Sequence, residues 1–329
     1  MIRLSAGTAA CMGLSSNRMD AYPTTAYLLS GQHCLMKCSF CPQGAESNEV
    51  LNRLGRVNWP GYSWDEVEKK LAHAEAEGIR RICLQSVRHT DGIKPLQKIV
   101  KRLKGASALP LSLSAWLSDE NEAAALVNAG VERLSVSLDV INPAAYEEIK
   151  GGSQQDRLDL LLRCAEKLPG KISTHLICGL GETEEEALFL IDRLEKAGVT
   201  TALFAFVPLR GTAMEGKEPP PVDSYRRVQA GYYLLRSQAA QLKSFKFDNG
   251  RLVSFGLTEK NLMNTLPGSA AFNTSGCPDC NRPYYNERPG RTIYNYHRPL
   301  TKEESESVIG ELLGSLQKSA ADQLERGRF

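Results

Sequence analysis

One pattern recurs along this chain and limits its fold more than any single motif. An amphipathic stretch ends at a small residue and a glycine, and a β-branched residue then opens an apolar run. The instances are Ala76-Glu77-Gly78-Ile79 into RRICLQS, Ala129-Gly130-Val131 into ERLSVSLD, and Ala197-Gly198-Val199 into TTALFAFVP. Each glycine suits the left-handed residue that closes a helix. Two of these helices open with the capping-box pattern Ser63…Glu66 and Thr183…Glu186, and the third opens at Ser118-Asp119-Glu120. Further strand-like runs lie at TTAYLLSGQH (24–33), LPLSLSAW (109–116) and KISTHLICGL (171–180), with a helix expected over 154–168. Strands alternating with helices of this length make βαβ units and a parallel sheet. Residues 24–266 have room for about six to eight such units, the size of a TIM-type (β/α) barrel, complete or partly open. A doubly wound open sheet is the alternative.

The flanks differ from this body. Residues 1–23 read as an N-terminal extension and 267–329 as a C-terminal one, ending in a polar helix over 302–325. The stretch 267–300 is rich in Gly, Pro, Asn, Tyr and Arg and almost free of aliphatics, so it needs an outside agent to order it. A metal is one such agent. The 40 basic and 38 acidic side chains nearly cancel, so charge gives no reason to expect nucleic acid. No apolar run approaches the ~18 residues of a membrane span. The first residues, MIRLSAGTAACMGLSSNRMDAYP, carry no apolar leader core. A cytoplasmic protein without a membrane partner is the expectation, and thiols stay reduced there.

Nine cysteines in such a chain therefore call for a reason other than disulfides. Three are packed as Cys34-Leu-Met-Lys-Cys38-Ser-Phe-Cys41, and two as Cys277-Pro-Asp-Cys280. Chance places such a triplet in roughly 0.7% of chains with this composition, against roughly 0.25 chance CxxC pairs per chain. The triplet is the strong signal. Cys83, Cys164 and Cys178 sit in apolar strand or helix patterns and are expected to pack, as buried free cysteines do. Cysteine thiolates are the usual ligands of iron–sulfur clusters, and a 4Fe–4S cluster normally takes four. Three from one loop leave one iron open to a substrate or cofactor. His33 adjoins Cys34 too closely for relaxed ligation and reads as a loop residue.

CxxxCxxC after a first strand, followed by βα units, resembles the radical S-adenosylmethionine (SAM) superfamily. That resemblance implies a 4Fe–4S cluster on Cys34, Cys38 and Cys41 whose open iron chelates SAM. Its cleavage would give a 5′-deoxyadenosyl radical that abstracts hydrogen from an unactivated carbon. Residues 126–146 (LVNAGVERLSVSLDVINPAAY), Gly179-Leu180-Gly181-Glu182-Thr183 and Leu209-Arg210-Gly211-Thr212 resemble the biotin-synthase-like branch. The likeness implies Phe40 against the adenine, Ser135, Ser137 and Asp139 on the ribose side, and Gly179 in a cofactor-binding turn. Gln85 and Ser86 stand where many members carry GGE for the methionyl amine, a departure from the pattern.

Biotin synthase draws a second, 2Fe–2S cluster from strand cysteines. Cys83 matches one of them, but Leu111 and Ser173 stand at two others, which argues against that cluster. Cys277 and Cys280, joined by Cys11, are instead expected to hold an auxiliary iron–sulfur cluster, with Ser275, Asp279 or an exogenous sulfur as fourth ligand. A zinc knuckle at Cys277 and Cys280 is the competing reading. The stretch SGCPDCNRPYYNERPG (275–290) resembles biotin-synthase-related components of two-component lipoyl synthases. By that resemblance the chain would insert sulfur from a sacrificial cluster at C6 or C8 of a protein-bound octanoyl-lysine. Implied partners are an octanoylated lipoyl carrier domain or H protein, a paralogous radical SAM subunit, and a ferredoxin or flavodoxin as electron donor. Arg288, Arg291, Tyr294 and Tyr296 are candidates for guiding the carrier or closing the cavity. The alternatives are a radical SAM maturase, mutase or methylase-like enzyme with a structural or electron-transfer second metal, or a non-catalytic iron–sulfur partner protein.

Overall fold

The computed structural model describes residues 1–48, 52–266, 270–287 and 290–326. Six strands, Thr25–Ser30, Arg81–Ser86, Leu111–Ser114, Arg133–Ser135, Ile172–Cys178 and Thr200–Ala205, stand side by side in chain order, each parallel to the next. A sheet wound in one direction has no point where the strand order reverses, so it is of the barrel kind and not doubly wound. The sheet continues past Thr25–Ser30 through two short antiparallel strands, Ile2–Leu4 and Gly61–Tyr62. No ladder among the described residues joins Thr200–Ala205 to the other edge. The barrel is therefore partly open. Residues 2–4 thus belong to its sheet.

The connecting helices form where their ends are chemically marked. Trp64–Leu71 and Glu184–Lys196 both begin with complete capping boxes, on Ser63 and Thr183, and Glu120–Asn128 begins at Asp119, whose carboxylate accepts from the N–H groups of Asn121 and Glu122. Gly78, Gly130 and Gly198 close three of the helical stretches at φ of 87°, 116° and 70°. Along the strands, Ile82, Leu84, Leu111, Leu113, Leu134, Val136 and Leu138 are buried in the main core. The alternate positions face the barrel interior, and several of them are small: Cys83, Ser112, Ser114, Ser137 and Ser173. Small residues there leave a cavity where a packed barrel would have none.

The C-terminal stretch is ordered by the barrel itself. The Leu203 N–H donates to Ser275 Oγ (2.8 Å) and Asn286 Nδ2 to the Ala205 carbonyl (2.7 Å), which ties it to the sixth strand. Thr24 N–H donates to Asn281 Oδ1 (2.9 Å), Thr25 Oγ1 to the Asp279 carbonyl (3.4 Å), and Arg81 Nε to the Pro278 carbonyl (3.1 Å), which ties it to the first two. The segment thus links the C-terminal half of the sixth strand to the N-terminal ends of the first two. Glu287 gathers the N–H groups of Asn286, Tyr294 and Asn295 (2.8–3.0 Å), and Arg226 of the helix Val222–Arg236 donates to the Tyr294 carbonyl (2.6 Å). Side-chain hydrogen bonds to backbone do here what aliphatic packing does elsewhere. The terminal helix Lys302–Arg326 buries Val308 and Leu312 in the same core. Among the described residues no helix is long and apolar enough to cross a membrane.

Candidate functional site

A cavity of about 280 Å³ lies within the barrel, with thiols from two distant parts of the chain on its wall. The loop after the strand Thr25–Ser30 delivers Cys34, Cys38 and Cys41, at the C-terminal end of the strands where barrel enzymes keep their chemistry. The loop is pinned by its own backbone: Cys41 N–H donates to the Cys38 carbonyl (3.0 Å), Gly44 N–H to that of Cys41 (2.9 Å), and Ser39 N–H to that of Ile149 (2.8 Å). Met36 N–H and Arg88 N–H both point at Cys34 Sγ, each at 3.4 Å. Burial pushes the Cys38 thiol up to about 11, and burial together with the Cys38 charge pushes Cys41 up to about 12. Thiols so placed become thiolates readily only when a cation shares the site. Three such sulfurs on one loop are the donor set for a 4Fe–4S cluster with an open iron. Among the described residues no three His, Cys, Asp or Glu side chains converge on a single-ion point.

Beside this loop lies a buried ion pair that the sequence reading did not find. Lys150 closes the helix Pro143–Lys150 and donates to Asp139 Oδ2 (2.6 Å) and to the carbonyls of Ser137 and Leu138 (3.2 and 3.1 Å). Burial pulls the Lys150 ammonium down, but Asp139 and Cys38 hold it above its ordinary value. Asp139 takes φ of 64°, a left-handed conformation that a non-glycine residue adopts at a cost. His175 shares the cavity wall, edge-on to Phe204 (5.3 Å between centroids), and burial lowers it to about 4, so it is neutral near pH 7.

At the other end of the cavity stand Cys83, Cys277 and Cys280. Gln85 Nε2 donates to Cys83 Sγ (3.1 Å), Ser112 Oγ to Cys277 Sγ (3.5 Å), and the Tyr27 hydroxyl lies 3.3 Å from Cys280 Sγ. Burial raises the Cys83 and Cys277 thiols, and the neighbouring sulfurs raise them further. The Arg282 guanidinium covers the Phe204 ring at 4.1 Å and lines the same space. Cys83 was expected only to pack. Its signal was the alternation it shares with Gln85, which turns both side chains inward from one strand.

Phe40, Gln85, Ser137 and Asp139 are on the cavity wall. Three expected site residues are not. Cys11 ends the helix Ala6–Cys11, and its Sγ faces the carbonyls of Glu77 (3.3 Å) and Pro23 (4.0 Å), off the cavity wall on which Cys277 and Cys280 stand. Ser135 pairs within the sheet with Ser114 and Ser173, and its buried hydroxyl has no hydrogen-bond partner among the described residues. Gly179 serves a turn at φ of 98°: its N–H donates to Glu182 Oε1 (2.7 Å), and a Cβ there would meet Pro220 at 2.7 Å. Cys164 and Cys178 are buried in the core as expected. Ser275 Oγ accepts from the Leu203 N–H, and the Asp279 backbone carbonyl accepts from Thr25 Oγ1. Tyr294 and Tyr296 pack inward around Tyr225 and Arg226, Arg291 is exposed, and Arg288 lies outside the described residues.

The comparisons with known proteins agree with this geometry. Residues 28–194 match the Radical SAM superfamily model, about half of the chain. A biotin synthase from Christiangramia forsetii is 27% identical over 205 residues, covering 60% of this chain and 54% of that protein. A biotin synthase from Acaryochloris marina is 25% identical over 182 residues, covering 54% and 51%. The match thus spans just over half the length of these curated relatives. Among solved structures, the FeFe-hydrogenase maturase HydG from Carboxydothermus hydrogenoformans superposes at a TM-score of 0.55 with 16% identity, over 65% of this chain and 51% of HydG. Methylornithine synthase PylB gives 0.50 with 16% identity, over 65% and 68%. These likenesses are of fold. Cysteine spacing, barrel and family match converge: the chain belongs to the radical SAM superfamily and is a radical SAM enzyme related, at a distance, to biotin synthase.

Proposed function

We propose that this enzyme inserts sulfur at an unactivated C–H bond of an aliphatic chain, at C6 or C8 of a protein-bound octanoyl-lysine. The observation that carries this reading is one cavity with Cys34, Cys38 and Cys41 at one end and a second thiol group at the other. Leu29, Leu54, Trp59, Val87, Phe206 and Leu209 line it as well, an apolar wall suited to an alkyl chain. A 4Fe–4S cluster with SAM supplies the hydrogen-abstracting radical when bound, and a second, sacrificial cluster supplies the sulfur. The protein's own part is to hold, to orient and to keep water out. The Lys150–Asp139 pair and the Ser114–Ser137 contact (3.2 Å) stiffen the wall beside the first thiol loop, where they would meet the polar part of SAM. Trp59, Leu29 and Val87 form a small apolar cluster against Cys34 that shields that loop.

The partners that follow are an octanoylated carrier domain or H protein, a paralogous subunit for the other carbon, and a ferredoxin- or flavodoxin-like reductant. The test is anaerobic turnover of an octanoylated carrier peptide with SAM and dithionite, with and without a paralogue, read by mass spectrometry. Deoxyadenosine together with a thiolated peptide supports the reading. Deoxyadenosine with unmodified peptide under both conditions refutes it and leaves a radical SAM enzyme of other chemistry, whose second thiol group serves structure or electron transfer.

A further inference from the structure

The three thiols at the far end of the cavity come from places that share no local motif. Cys83 is on a central strand, and Cys277 and Cys280 are on the bridging segment. Each sulfur meets a polar side chain: Gln85 and Ser112 donate to Cys83 and Cys277, and the Tyr27 hydroxyl contacts Cys280. Donors aimed at sulfur are the surroundings that tune a thiolate-bound metal centre. They are costly beside thiols that merely pack.

Arg282 points the same way independently. Its guanidinium lies against Phe204, donates to the Ser275 carbonyl (2.8 Å), and pairs with no carboxylate among the described residues. Its backbone N–H donates to the Tyr27 hydroxyl (3.2 Å), the same group that meets Cys280 Sγ. A charge kept inside a protein needs a counter-charge, and a thiolate-ligated cluster is anionic. The backbone is also bent to purpose here. Asp279, Arg282 and Tyr284 all take positive φ (61°, 37° and 55°), three non-glycine residues in six positions, which surrounding contacts must hold in place. Asn281 does so by donating to the Tyr22 carbonyl (3.1 Å) and accepting from Thr24 N–H (2.9 Å). The result turns both cysteines of the segment inward.

We propose that Cys83, Cys277 and Cys280 jointly ligate a second iron–sulfur cluster inside the barrel, with Arg282 as its counter-charge. This deepens the sulfur-insertion reading by naming which sulfurs anchor the donor, and it replaces Cys11 with Cys83.

The test uses the full chain carrying Cys34→Ala, Cys38→Ala and Cys41→Ala, reconstituted anaerobically with iron and sulfide. Iron, acid-labile sulfide and zinc are then measured, with electron paramagnetic resonance of the reduced sample. This background should retain iron and sulfide. Adding Cys83→Ala or Cys277→Ala should remove both, whereas adding Cys11→Ala should leave them unchanged. Circular dichroism of the apo proteins checks folding, and Cys83→Ser, nearly the size of cysteine, stands in if the alanine variant does not fold. Arg282→Gln should keep the iron and move the midpoint potential lower, because a nearby positive charge favours the reduced cluster. Zinc in place of iron, or full iron retention in Cys83→Ala or Cys277→Ala, overturns the proposal. An unchanged potential removes Arg282 from it. These readouts need no substrate. Intact metal counts without thiolated product would fault the sulfur insertion and leave the ligand set standing.

Discussion

At Asp139 a left-handed backbone and a buried ion pair meet, and each holds the other in place. The Lys150 side chain is 3% exposed and that of Asp139 14%, so their contact is made away from water. Removing one partner leaves an uncompensated charge inside. Lys150→Met should therefore lower the unfolding free energy of the apo protein by about 3–5 kcal/mol, and adding Asp139→Leu should restore part of it; urea denaturation measures both. His175 makes a second prediction at this scale. Its folded value, about 4, lies below the ordinary 6.5. The unfolded chain thus binds the extra proton first as pH falls, so stability present above 6.5 is lost as pH descends towards 4. His175→Gln should flatten that part of the stability–pH curve, and an unchanged slope would show that burial does not hold the imidazole neutral.

The helices and strands were legible in the sequence because their determinants are local. Ser63 and Thr183 cap where their spacing to a glutamate says they should, and Gly78, Gly130 and Gly198 stop their helices for the reason any glycine would. Ser63→Ala should accordingly cost about 1 kcal/mol, visible as a lower denaturant midpoint with unchanged slope. Convergence across the chain was not legible. Cys11 and Cys83 are both single cysteines in the sequence. Only the pairing of Cys83 beside Tyr27 and Ser112 puts its sulfur on the cavity, while a short helix turns Cys11 towards Glu77. Gly179 shows the same limit: its motif was readable but its purpose was not. Gly179→Ala should destabilise the apo chain by about 1–3 kcal/mol, since it combines positive φ with a clash, yet leave reconstituted iron unchanged. Loss of iron without loss of stability would return the residue to the cofactor.

For the molecule as a whole, the bridging segment makes the barrel's interior an interior. A chain ending at Leu266 would uncover Tyr27 and Phe204, which contact the missing residues through Cys280, Arg282 and Tyr285. It should bind more hydrophobic dye and melt at lower temperature than the full chain. An equal melting temperature would mean that the barrel closes without the segment. The contacts of that segment join residues 253 and 257 positions apart, such as Tyr27 with Cys280 and Thr24 with Asn281. Such closures come late and slowly, after the loops between them are folded. During synthesis the barrel strands leave the ribosome well before the residues that complete the cavity. The first thiol loop, Cys34 to Cys41, can thus be loaded on a nascent chain before Cys277 and Cys280 have been made.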